Sequence, residues 1–167
     1  MTHFAPGKIS KENLEGVHPD LVRVVMNAYK KVTVDMRVYD GVRTEEEAET
    51  NFKSGVSRTK NTQHRIQKTG FGHAVDLVPI FDHDGDGDTE LVWDWPGCYK
   101  IAKAMREAAI EERVIIIWGG VWDCILNELS SNTEREVMDY VTRRKSKGKD
   151  AFIDGPHFEL SQAVYNV

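Results

Sequence analysis

Cysteine is scarce in this chain, positive charge is in deficit, and no apolar run approaches the length needed to span a membrane. The two cysteines among 167 residues, Cys98 and Cys124, form no metal-knuckle spacing and are too few for a disulfide framework. They are expected to be free thiols, as suits synthesis in a reducing cytoplasm. With a formal net charge of −5 the sequence lacks the electrostatic footprint of a nucleic-acid binder. Its one basic run, Arg143-Arg144-Lys145 to Lys149, lies beside Glu134, Glu136 and Asp139 and is read as a solvated helix end. The start, MTHFAPGKIS, has no basic segment followed by an apolar stretch and no small-residue cleavage site. Membrane insertion is therefore not expected, and a substrate beyond the membrane would require some other agent to deliver the protein.

What is present is an ordinary globular composition, 40% hydrophobic and 29% charged. A chain of this length can bury a core as one domain, 1–167, without disulfide or metal staples, so any metal it holds is free to be catalytic. HPDLVRVVMNAYKK predicts a helix over about 19–31, with proline in the first turn and Leu21, Val24, Val25 and Ala28 on one face. VTVDMRVYDGVRT alternates toward a strand that ends near Gly41 and leaves Arg43 at its exit. Thr44 to Glu47 has the form of a capping box for a second helix to about Lys53, and residues 56–71 read as a long polar loop. GHAVDLVPI is a short buried strand, Pro96 opens a third helix, and VIIIWGG is another strand. Thr133 to Glu136 again resembles a capping box, heading a helix to about Arg144, and FIDGPHFEL carries the last strand. Helices and short strands without a regular βαβ rhythm predict an α+β fold, a small antiparallel sheet with flanking helices.

The residues able to ligate a metal are His64, His73, Asp76 and His157, with Asp154 close by. A catalytic zinc takes three protein ligands and leaves a position for water. In a regular strand His73 and Asp76 point to opposite faces, which favours His64 on the preceding loop as the partner of Asp76. Asp154, separated from His157 by a Gly-Pro turn, is placed to act as general base on a metal-bound water. Arg43, planar and permanently charged, could polarise a scissile carbonyl or clamp a carboxylate. Spacing alone leaves plainer readings open: a structural histidine before a strand, an Asp-Gly-Pro that is only a turn, and an arginine in a surface ion pair.

GVHPDLVRVV, VYDGVRTEEEAE, GVSRTKNTQH, GHAVDLVP, WDWPGCYKIAKAMREAA, IIIWGG and DGPHFEL, in that order, resemble the zinc L-alanyl-D-glutamate peptidases that phages encode as endolysins. These are relatives of the D-Ala-D-Ala carboxypeptidases and vancomycin-resistance dipeptidases. The resemblance implies a hedgehog/DD-peptidase type fold and cleavage of the L-Ala–D-Glu bond in peptidoglycan stems. It also implies Zn2+ on His64, Asp76 and His157, Asp154 as the catalytic base, and Arg43 steadying substrate and transition state. The expected partner is peptidoglycan, met by a monomer held in the host cytoplasm and released through a holin-type pore. Trp118 and Trp122 are candidate cleft-wall residues, with core packing the better reading for at least one of them.

The chain departs from the family pattern in three places. His64 and Asp76 are twelve apart because RIQKTGF lengthens the loop, which keeps His73 as a rival ligand. A segment at about 124–150, carrying the capped helix, separates WGGVWD from DGPHFEL, and Val121 stands where many relatives have an acid. In FDHDGDGDTELVWDW, Asp82, Asp84, Asp86 and Asp88 fall at positions one, three, five and seven of an EF-hand-like loop, which reads as a bare acidic hairpin turn or, alternatively, as a candidate Ca2+ site. Position twelve is Trp93, so Glu90 or Asp94 would have to replace the usual glutamate. The same residues would equally serve a D,D-carboxypeptidase or D-Ala-D-Ala dipeptidase, and the fold could also hold zinc as a binding module without catalysis.

Overall fold

A computed structural model describes residues 3–165 as an α+β fold. Its strands are β1 (Met36–Asp40), β2 (Ala74–Phe81), β3 (Glu90–Leu91), β4 (Ile116–Trp118) and β5 (His157–Leu160). The helices are α1 (Lys8–Asn13), α2 (Pro19–Tyr29), α3 (Glu45–Lys53), α4 (Trp95–Glu112), α5 (Thr133–Ser146) and α6 (Gln162–Tyr165). The main path of the sheet runs β1-β2-β5-β4, every pair is antiparallel, and β3 pairs with the far end of β2.

Side-chain alternation divides the sheet into two faces with different tasks. Val75 and Leu77 of β2, Ile116 and Trp118 of β4, and Phe158 and Leu160 of β5 belong to the hydrophobic core. They share it with Leu21, Val24, Val25 and Ala28 of α2 and with Ile101, Ala104, Met105 and Ala108 of α4. The other face carries Asp76, Ile117, His157 and Glu159, all of which line a broad cleft. On β1 a register shift between Val38 and Asp40 keeps Val38 in the core and brings Asp40 to the cleft.

Local chemistry explains where the helices begin. His18 caps α2, its ring accepting from the Asp20 N–H, and Pro19 supplies the first turn. Thr44 and Glu47 form the expected reciprocal capping box on α3. Asp94 caps α4 by accepting from the Gly97 N–H at 2.9 Å. At α5 the expectation was displaced by one residue. Asn132 is the cap, accepting from the Arg135 N–H, while the Thr133 hydroxyl donates to the Tyr99 carbonyl and ties α5 to α4.

Trp118, expected on the cleft wall, is a core residue with no exposed surface. The alternation of β4 turns it inward against Phe158, and its indole N–H is satisfied by the Gly155 carbonyl at 2.7 Å. Trp122, four residues further on, does line the cleft.

The turn that precedes β5 is fastened to the end of β4 through backbone. Gly119 N–H donates to His157 O, and Asp154 N–H donates to Gly119 O, both at 2.8 Å. A Cβ on Gly119 would stand 2.1 Å from the Asp154 carbonyl oxygen, inside any tolerable contact. Gly119→Ala is therefore expected to push the Asp154 turn off β4 and cost about 1–3 kcal/mol of stability. Urea denaturation checks this, and an unchanged midpoint would mean that the turn is not held at Gly119.

Candidate metal centre

Asp76 lies mid-strand, paired across β2 and β5 with His157 and across β1 and β2 with Asp40. That register alone places His157 beside Asp76. His64 comes from the long loop, whose end is tied to the sheet: its carbonyl accepts from Arg43 N–H at 2.9 Å, and Gln63 O accepts from His73 N–H at 2.8 Å. His64 Nε2 and His157 Nδ1 each lie 3.3 Å from Asp76 Oδ1, and 3.2 Å from one another.

This near-equilateral triangle fits a metal. Tetrahedral zinc, with bonds of about 2.0–2.1 Å to nitrogen, needs ligand atoms roughly 3.3–3.4 Å apart. The donor chemistry fits as well. His64 Nδ1 is engaged with the Gly41 carbonyl at 2.7 Å and His157 Nε2 with Glu159 Oε2 at 2.8 Å. Each outer nitrogen acts as N–H donor there, which leaves the inner nitrogen with its lone pair facing the triangle. Asp76 Oδ1 is buried without a hydrogen-bond partner. Three electron pairs directed at one buried point call for a cation.

Without a metal, a proton serves. Burial opposes a charged imidazole, but Asp76 and Glu159 outweigh it and push His157 up to about 10. Burial likewise works against the Asp76 carboxylate, and the two imidazoles reverse that and hold it below the usual carboxylate range.

Arg43 leaves the exit of β1 and donates from Nη2 to Asp76 Oδ2 at 2.9 Å, while its Nε is paired with Asp40. Its guanidinium thus fixes the outer oxygen of Asp76 and aims Oδ1 inward. Asp154, half-buried at the turn before β5, lines the same cleft. Burial first, and then the nearby Asp76 charge, raise its pKa above the ordinary carboxylate value. The cleft, about 1600 Å³ in volume, is walled on one side by Trp122, which tilts against the His157 ring at 5.2 Å. Phe152 stacks on Trp122, and the Arg58 guanidinium covers Phe152 at 4.4 Å.

His73, the rival ligand, lies apart from the triangle. Its Nε2 is 2.6 Å from the Thr69 hydroxyl, and its ring packs edge-on against His18 and Tyr165. Glu159 was missed by sequence reasoning, although an acid two residues after His157 in an otherwise apolar strand was a usable signal.

The Asp-rich segment joins β2 to β3. Carboxylate oxygens of Asp82, Asp84 and Asp86 lie within 4.8 Å of one another. They are occupied with turn formation: Asp82 accepts from Gly85 and Gly87 N–H, Asp84 from Asp86 N–H, and Asp86 from Asp88 N–H. Asp94, a suggested substitute ligand, is the α4 cap, and Glu90 accepts from His83 N–H. The expectation of calcium at Asp82, Asp84, Asp86 and Asp88 gains no support from this arrangement.

The chain matches the family model of phage L-alanyl-D-glutamate peptidases over residues 2–161. It is 27% identical over 158 residues to the L-alanyl-D-glutamate peptidase of Escherichia phage T5, covering 94% of this chain and 98% of that protein. Among solved structures it is similar to the Serratia marcescens L-Ala D-Glu endopeptidase ChiX, at 31% identity and a TM-score of 0.67. That match covers 97% of this chain and 94% of the other.

The geometry sorts the histidines. His64→Ala and His157→Ala are expected to abolish stoichiometric zinc binding in calorimetry, whereas His73→Ala retains it; loss of binding in His73→Ala alone would reassign the site. Because metal-free His157 is protonated up to about pH 10, the ion must displace that proton. Binding at pH 7 should release about one proton per zinc, and affinity should rise about tenfold per pH unit toward that value. Calorimetry in buffers of different ionisation enthalpy reads the proton count directly.

Proposed function

Because this chain belongs to the family of phage L-alanyl-D-glutamate peptidases, we propose that it is a zinc metallopeptidase cutting the L-Ala–D-Glu bond of peptidoglycan stem peptides. The observation that carries this reading is the buried triangle of His64, Asp76 and His157, opening on a cleft that Asp154 also lines. Two histidines and a carboxylate are a known zinc donor set for peptide hydrolysis. Zinc held there would supply Lewis acidity toward the scissile carbonyl and lower the pKa of a water to about 7.

The protein's own groups do the rest. Asp154 accepts the proton of the attacking water and passes it to the leaving D-Glu amine, a shuttle that its raised pKa favours over an ordinary carboxylate. Arg43 keeps Asp76 oriented and, since it also lines the cleft, meets the carbonyl oxygen as charge develops on it. Trp122 and Phe152 form an apolar wall against which an extended peptide can lie.

Phage origin of the family supports a role in host-cell lysis. Among the described residues no helix is long and apolar enough to cross a membrane. On this reading the protein reaches the wall from the host cytoplasm through a separate holin-type pore.

Mass spectrometry of diaminopimelate-type peptidoglycan digested by the zinc-loaded protein tests the bond. Stem peptides with a new N-terminal D-Glu are expected, and Asp154→Asn should slow their release by about 10²–10⁴-fold. Released D-Ala would instead mark a D,D-carboxypeptidase or dipeptidase, and no product at all a non-catalytic zinc-binding module. Asp154 carries a second, independent prediction. Its folded pKa is raised, so the ionised carboxylate weakens the fold as pH rises through that value. Asp154→Asn should thus stabilise the metal-free protein at pH 7 by about 0.5–2 kcal/mol while removing activity; a lowered melting temperature would contradict this.

A further inference from the structure

Glu159 poses a physical problem that the peptidase reading does not use. Its side chain is nine-tenths buried, yet its one ion-pair partner among the described residues is a histidine. Oε2 accepts from His157 Nε2 at 2.8 Å, and Oε1 accepts from the Gln162 side-chain amide at 3.2 Å. Burying a carboxylate so poorly matched by permanent charge is costly.

A tautomer lock alone does not require it. His64, the other imidazole, is oriented by a backbone carbonyl, Gly41 O at 2.7 Å, at no cost in buried charge. What a carboxylate adds is its charge. Arg43 is shared by Asp40 and Asp76, and Asp154 stands as a further acid in the cleft; Asp76 and Glu159 are the two carboxylates in direct contact with the ligating imidazoles. As that contacting pair they match the charge of one divalent ion. Glu159 also prevents the His157 ring from turning over. With Nε2 held outward, Nδ1 is the nitrogen presented beside Asp76.

We propose that Glu159 is a positioning residue for the metal, locking His157 to ligate through Nδ1 and supplying the second negative charge that neutralises a bound divalent cation. This rests on the zinc reading above. The alternation of β5 makes the device possible, since His157 and Glu159 are neighbours on one strand face and need no further element to bring them together.

Zinc affinity, measured by competition with a chromophoric chelator, tests the proposal without recourse to activity. Glu159→Leu, which removes both hydrogen bond and charge, is expected to weaken zinc binding about 10–100-fold. Glu159→Gln keeps an acceptor of the same shape without the charge and should fall between Glu159→Leu and the wild type. Long-range 1H–15N correlation spectra of the zinc-loaded proteins should show His157 metallated at Nδ1 in the wild type and in Glu159→Gln. The leucine variant should lose that single signature. Wild-type affinity and an unchanged His157 spectrum in Glu159→Leu would overturn the proposal. If the leucine variant does not fold, wild-type affinity in Glu159→Gln overturns the charge contribution on its own. A wild-type protein that binds no zinc would overturn the zinc reading and this inference together, whereas a zinc-binding wild type with unaffected variants would overturn only the latter.

Discussion

A carboxylate buried on an interior strand has to be compensated from every side, and Asp76 organises this protein around that requirement. It sits on β2 between β1 and β5, so its two neighbouring strands supply its partners: Asp40 with Arg43 on one flank and His157 on the other. His64 completes the set from the loop. The strand order is therefore also the wiring of the site. Neither the arginine nor the imidazoles could be exchanged for neutral residues without leaving a charge stranded at low dielectric.

The cleft face and the core face of the sheet are held in one register, and that couples the geometry of the proposed site to packing. Trp118 and Phe158 stack beneath the sheet, while Ile117, His157 and Glu159 emerge above it. The Trp118 indole holds Gly155 from below, and Gly119 holds Asp154 and His157 through backbone. Asp154 and His157 are thus placed relative to each other by rigid elements, as the base proposed at Asp154 requires, since a base has to lie within hydrogen-bond reach of its proton to work. The one proposed ligand drawn from a long loop, His64, is fastened by its carbonyl, its ring and its neighbour Gln63, so the extra residues that follow it in the loop do not loosen it.

Periodicity made much of this legible in the sequence. The amphipathic faces of α2 and α4, the capping box at Thr44 and the alternation in GHAVD all carried through; the last of these favoured His64 over His73 as the partner of Asp76, while the lengthened loop kept His73 a rival. Tertiary matters were less visible. Two tryptophans four residues apart in WGGVW look equivalent as text, and only the pairing of β4 decides that Trp118 is core and Trp122 is cleft. Thr133 resembled a cap because its spacing to Glu136 suits one, yet its hydroxyl is drawn to Tyr99 on α4. Glu159 escaped notice because its importance lies in what it touches. The short pieces α1, β3 and α6 have too few residues to show a period at all.

Anomalous diffraction at the zinc edge, from crystals of the zinc-loaded protein, tests the account most directly. One strong peak is predicted, about 2.0 Å from His64 Nε2, His157 Nδ1 and Asp76 Oδ1. A peak beside His73 or among Asp82, Asp84 and Asp86, with none at the triangle, would contradict it.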